Sequence, residues 1–204
     1  DYMGDAVFDI SILPNMVRDA SIIGIARELA AVIKRELREP EGVQLPRNGS
    51  LGELVSLRVT NPELNPRFML GMVESAQPKP SPYWVQRRLV LAGMRPIDAL
   101  VDATNYTMLD TGEALHAFDY DLLVARAGGG KPTIITRTAA QGEKLTTLDG
   151  NTHTLDDTME LVCDSAGPLS LAGVMGGSET GIHSGSTRVL LEAASWNFIN
   201  TRKT

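Results

Sequence analysis

The chain has 204 residues, of which 43% are hydrophobic and 22% charged, with a formal net charge of −6. That balance fits a soluble globular chain able to bury one sizeable core, and it excludes intrinsic disorder. No apolar run of about 18 residues is present, which excludes a spanning helix, and the absence of a basic block argues against broad nucleic-acid binding while leaving contact with a single terminus open.

The opening Asp1-Tyr2-Met3-Gly4-Asp5 does not resemble a signal peptide. With Met in third place it reads as the start of a piece cut from a longer chain. Cys163 is the one cysteine. It cannot form an internal disulfide, which fits a reducing, cytoplasmic setting. Its apolar neighbours favour a packing role.

Along Ala6 to Leu13, Phe8, Ile10 and Ile12 alternate with Asp9 and Ser11, the pattern of a half-buried strand. Ser21 is placed to cap a helix whose apolar face is Ile22, Ile25, Ala26, Leu29 and Ile33. Residues 38–52 carry five Gly or Pro residues (Pro40, Gly42, Pro46, Gly49 and Gly52) and read as a loop or linker. Strands are expected at 54–59 and 67–73. Ser81-Pro82 reads as a cap followed by a first-turn proline, opening a helix through Trp84, Val85, Leu89 and Val90 to Gly93. A second helix runs from Ile97 to about Leu109 and ends near Gly112. Beyond Gly128-Gly129-Gly130, strands are expected at 133–136, 161–163, 169–171 and 189–191, separated by turns such as Asp149-Gly150 and Ala166-Gly167-Pro168. The fold class is mixed α/β (α+β) with a β-rich second half. The basic pairs Lys34-Arg35 and Arg87-Arg88 read as solvated helix faces.

Familiar catalytic patterns fail. Gly128-Gly129-Gly130-Lys131 is followed by Pro132 and has Ala125 where a phosphate-binding loop needs Gly, so it is a flexible turn. His116, His153 and His183, the three histidines, stand at no metal-ligand spacing with one another or with Cys163. There is no G-x-S-x-G elbow. The glycines of Gly173-Val174-Met175-Gly176-Gly177 lack dinucleotide-binding spacing and mark close backbone approach to a neighbour or a ligand.

Five ordered segments carry a resemblance. They are Val101-Asp102-Ala103-Thr104-Asn105-Tyr106-Thr107-Met108-Leu109; Leu115-His116-Ala117-Phe118-Asp119; Gly142-Glu143-Lys144-Leu145-Thr146-Thr147-Leu148-Asp149-Gly150; Leu171-Ala172-Gly173-Val174-Met175-Gly176-Gly177; and Val189-Leu190-Leu191-Glu192-Ala193-Ala194. Together with Ser81-Pro82, Gln86-Arg87-Arg88-Leu89 and Gly93-Met94-Arg95-Pro96-Ile97, they resemble the editing domain of bacterial phenylalanyl-tRNA synthetase beta subunits over nearly the whole chain. Leu13-Pro14-Asn15-Met16-Val17-Arg18-Asp19-Ala20-Ser21 departs from the family's T-P-N-R-x-D-C-L-S.

The resemblance implies a single editing domain over 1–204 with a three-layer β/β/α sandwich. It implies hydrolysis of tyrosine esterified to the phenylalanine tRNA, as part of a ligase that assembles from two alpha and two beta subunits. ATP and magnesium would serve the alpha subunit's aminoacylation site, with no cofactor or metal in this domain. Partners would be the tRNA acceptor end and the alpha subunit, without a membrane. Glu192 would accept the phenol hydroxyl; read from its sequence setting alone, a glutamate paired with Arg or Lys is the favoured reading. His116 would orient water or the terminal ribose, against a structural histidine on its own reading. Thr104 and Asn105 would face the ester and adenosine, against capping or turn bonding within their helix. Ala172 and Gly173 would form the floor, with backbone N–H groups toward the substrate. Two other readings remain at this stage: a bracing module without editing activity, and a free-standing deacylase.

Overall fold

The computed structural model describes residues 4–40, 42 and 49–204. A 3₁₀ helix (Pro14–Asp19) precedes α1 (Ile22–Ile33) and α2 (Leu51–Leu54). Then come β1 (Ser56–Val59), β2 (Arg67–Val73), α3 (Tyr83–Leu91), α4 (Ala99–Thr111), β3 (Leu115–Asp119) and α5 (Tyr120–Arg126). The β-rich half follows with β4 (Thr133–Thr138), β5 (Lys144–Thr146), β6 (Thr152–Thr154), β7 (Glu160–Cys163), β8 (Pro168–Leu171), β9 (Met175–Gly176), β10 (Val189–Ser195) and the short α6 (Phe198–Thr201). The mixed α/β class is as the sequence reads. No helix among the described residues is long and apolar enough to cross a membrane.

The chain forms two compact units, one of 1–48 with 79–115 and one of 49–78 with 116–204. In the first unit, α1 packs on α4 and on the 3₁₀ helix, and α3 packs on α4. Ser21 caps α1, its Oγ accepting from Gly24 N–H at 3.0 Å. Gly24 has to be glycine, because a Cβ there would meet the Asp19 Cα at 2.7 Å. Asp98 caps α4 by accepting from the N–H groups of Leu100 and Val101, and Gly112 closes it at φ 85°.

Two sequence expectations fail in this unit. The alternating segment 6–13 is not a strand: it has no ladder partner among the described residues, and Phe8 is 81% exposed. Ser81 does not cap α3. The helix begins after Pro82, and the buried Ser81 hydroxyl donates instead to the Asp102 carboxylate. The stretch expected as loop 38–52 falls partly outside the described residues, and its end is already helical in α2.

The second unit is built on two facing sheets. One has strand order β1-β4-β7-β8-β9, with β1 and β4 parallel and the other pairs antiparallel. The other has order β2-β10-β3. A third, two-stranded sheet joins β5 and β6. Ile134, Val162 and Leu169 of the first sheet share one core with Phe68, Phe118 and Leu190 of the second. Leu161 and Cys163 leave the opposite face of β7 and enter a second core with Leu145, Leu155 and Leu171. β7 is therefore buried on both faces, which is why it reads as a run and not an alternation. Cys163 packs there, its thiol pushed up to about 12 by burial, as expected of a packing cysteine.

Candidate functional site

β10 explains Glu192. Leu190 enters the core, so residues two and four further along face the same way. Glu192 is paired with Leu70 across β2, and Leu70, Ala194 and Met72 all pack against that core. Glu192 is thus set on an apolar face, 7% exposed, with Oε2 buried and without a hydrogen-bond partner. Burial raises its carboxyl to about 8. Among the described residues no cation pairs with it, so the ion-pair reading of Glu192 does not hold.

His116 stands on the neighbouring strand. Phe118 enters the core, and His116, two residues earlier, shares its face. Tyr120 N–H donates to Arg188 C=O at 3.0 Å, joining the end of β3 to the start of β10. The two strands therefore run antiparallel, and a ladder continued from that bond without a bulge sets Phe118 beside Leu190 and His116 beside Glu192. The imidazole meets Phe118 edge-on at 4.5 Å. Its Nε2 is buried without a partner, and desolvation lowers its pKa to about 4. The ring is neutral at pH 7.

Glycine makes the space for that ring. A Cβ on Gly176 would stand 3.0 Å from Nε2 and 3.1 Å from Nδ1 of His116, and closer still to Cε1. Gly176 had been legible only as a glycine marking close approach. Gly173 adopts φ +66°, and a Cβ there would meet the Trp196 ring at 2.7 Å. Ala172 is 3% exposed, but its N–H donates to Glu160 C=O at 3.0 Å. It is held in the sheet ladder and does not point a free donor at a ligand.

Thr104 and Asn105 lie on α4 in the other unit, so the structure describes them apart from Glu192 and His116. The Thr104 hydroxyl donates to Val101 C=O at 2.7 Å, the turn-bonding role open to it from sequence. Asn105 is half-buried.

One residue escaped notice in sequence. Glu160 is 3% exposed with both carboxyl oxygens unpartnered, and burial raises it to about 7. It leaves β7 on the same side as Val162, toward the second sheet. The signal was a glutamate in the apolar run from Met159 to Cys163. The two clefts resolved elsewhere, about 200 Å³ beside Arg126 and Lys144 and about 500 Å³ beside Ile22 and Met108, are lined by none of the expected site residues.

The fold is similar to that of an N-terminal fragment of the phenylalanyl-tRNA synthetase beta-subunit from Pyrococcus horikoshii, with a TM-score of 0.50, 16% identity, and coverage of 96% of this chain and 60% of that one. Residues 64–204 match the model of the B3/4 domain, and the chain belongs to that family. It is 39% identical over 200 residues to the phenylalanine–tRNA ligase beta subunit of Moorella thermoacetica, covering 98% of this chain and 24% of the relative. It is 42% identical over 198 residues to that of Rhodopseudomonas palustris, covering 97% and 24%. The chain therefore spans about a quarter of the length of these relatives.

Proposed function

We propose that this domain hydrolyses tyrosine from mischarged phenylalanine tRNA, as the editing module of a phenylalanine–tRNA ligase beta subunit working with an alpha subunit in the cytoplasm. The observation that carries the reading is the pair of buried, unpartnered polar atoms, Glu192 Oε2 and His116 Nε2, on one face of adjoining strands. Buried polar atoms are nearly always satisfied, so two orphans side by side call for a ligand that satisfies both.

Tyrosine suits the chemistry. The Glu192 carboxyl, protonated near pH 7 when the site is empty, can donate to or accept from a phenol hydroxyl. Phenylalanine would leave it unsatisfied at a cost of about 1–3 kcal/mol, a discrimination of roughly 5- to 150-fold. His116 is neutral and too weakly basic, at about 4, to serve as an efficient general base at pH 7. Its part is to orient a water by hydrogen bonding. The water oxygen bonds to the ester carbonyl carbon, the bond to the ribose oxygen breaks, and the proton passes to that oxygen, giving free tyrosine and an uncharged tRNA end. No covalent enzyme intermediate is needed. Gly173 lines the floor in this reading.

The test is deacylation of tyrosyl-tRNA and phenylalanyl-tRNA by the full synthetase carrying Glu192→Ala. Slowed release of tyrosine, or new attack on phenylalanyl-tRNA, is expected. Wild-type behaviour on both substrates sinks the assignment. His116→Ala should slow deacylation while phenylalanine activation persists; equal loss of both activities would point to misfolding.

A further inference from the structure

α3 carries a feature that the hydrolytic site does not use. The Arg88 guanidinium lies 5.5 Å from the Trp84 ring centroid and 5.7 Å from that of Tyr106, and it donates to the Tyr106 hydroxyl. The two rings meet edge-on at 5.4 Å. Trp84 is nevertheless 54% exposed, and its neighbour Tyr83 is 67% exposed. A tryptophan held rigid by an arginine and a tyrosine, yet open to solvent, is a pre-formed stacking surface whose ordering cost is already met by its own packing.

The charge around it is segregated. From Ala76 to Ile97 the sequence holds Lys79, Arg87, Arg88 and Arg95 and no Asp or Glu, within a chain of net charge −6. Arg87 donates to Asp5 at 2.8 Å; Lys79, Arg88 and Arg95 are exposed. Of the acids on and before α4, Asp98 caps the helix and Asp102 is buried against Ser81 and the Ile97 N–H, while Asp110 lies one turn beyond Tyr106. Arg88 is therefore not merely part of a solvated helix face, the reading its sequence setting favoured.

We infer that Tyr83, Trp84, Arg88 and Tyr106 form a platform on which an unpaired nucleotide stacks, with Lys79 and Arg95 facing the adjoining phosphates. Aromatic faces accept any base, and exposed cations follow the backbone, the combination by which single-stranded nucleic acid is held without sequence preference. A wholly apolar protein ligand would leave the cations without partners. The choice of RNA rests on the function proposed above; the platform geometry does not.

The test is equilibrium binding of a fluorescently labelled single-stranded 12-nucleotide RNA to the 204-residue chain, followed by anisotropy at several salt concentrations. Trp84→Ala and Arg88→Gln should each raise Kd roughly tenfold, while Trp84→Phe should stay within about threefold of wild type. Lys79→Gln should lower the slope of log K against log salt by about one. Arg88→Gln leaves both rings in place, so its result stands even if Trp84→Ala unfolds, which circular dichroism would reveal. An unchanged Kd in Arg88→Gln overturns the proposal, as does binding that persists at high salt. Displacement of an equally tight single-stranded DNA at the same Kd would overturn the choice of RNA. Glu192→Ala should bind the oligonucleotide normally, so loss of hydrolysis there and loss of binding here are separate failures.

Discussion

Gly176 lies against the His116 imidazole so closely that a single added methyl group would stand 3.0 Å from Nε2 and 3.1 Å from Nδ1. The ring cannot retreat freely, because Phe118 meets it edge-on at 4.5 Å and is itself fully buried. Gly176→Ala should therefore lower stability by about 1–3 kcal/mol, as overpacking of a filled core does, and should reduce tyrosyl-tRNA deacylation by turning the ring. Gly71→Ala on β2 of the other sheet, where a Cβ meets nothing within 4 Å, is the matched control. Urea unfolding and single-turnover deacylation would check both; a silent Gly176→Ala would mean that the ring has room to spare.

Glu192 ties stability to pH. Its carboxyl sits at about 8 in the fold against 4.5 when free. Between those values the unfolded chain has lost the proton that the folded chain keeps, so folding weakens as pH rises. The contribution of the neutral acid is complete below pH 4.5 and is lost through pH 8, at up to about 1.4 kcal/mol per pH unit. Glu192→Gln keeps the shape without the charge. Its melting temperature should match that of wild type near pH 4.5 and exceed it above pH 8. Parallel melting curves at all pH values would show that Glu192 ionises without penalty and is open to water.

The sequence displayed some of this site and concealed the rest, for physical reasons. β2 is found at the expected 67–73, because the apolar Phe68, Met69, Leu70, Met72 and Val73 in a short run leave a local signal. Glu192 was visible as a polar residue ending an apolar run. Its relation to His116 was not, since it depends on the register of strands 76 positions apart in the chain. α5 spans seven residues and β5 and β6 three each, too short for periodicity to separate them from loops. The segment 6–13 shows the opposite failure. Its alternation is real, but a strand needs a ladder, and none of the described residues supplies one. Glu160 was overlooked because the same run was read for its cysteine.

Asp164 should be among the costlier side chains to lose. Its carboxylate receives Arg126 Nε at 2.7 Å and Nη2 at 3.1 Å, and also the N–H groups of Ala166 and Gly167 at 2.8 and 2.9 Å. The side chains of Asp164 and Arg126 are 2% and 19% exposed. Removing the carboxylate strips two turn amides of their acceptor and leaves the largely buried guanidinium with Glu179 alone. Asp164→Ala should therefore cost about 3 kcal/mol. The Arg188–Asp121 pair is 42% and 49% exposed, and Asp121→Ala should cost under about 1 kcal/mol. Chemical unfolding of the two variants side by side would decide; equal costs would mean that the Arg126 pair is solvated despite its burial.

His116 sets the acid limit. Desolvation holds its imidazole at about 4 against 6.5 in an exposed ring, so the folded state resists protonation that the unfolded chain accepts. Stability from the neutral ring is complete above pH 6.5 and declines as pH falls toward 4. A ring that remains neutral also predicts a deacylation rate without a histidine inflection between pH 6 and 8. His116→Gln should flatten the acid limb of the stability curve, with melting temperatures converging on wild type as pH falls. Nuclear magnetic resonance of the ring carbons gives the direct reading. A midpoint near 6.5 would place the imidazole in water, remove the reason to treat Nε2 as a buried orphan, and leave Glu192 without the neighbour on which the hydrolytic proposal depends.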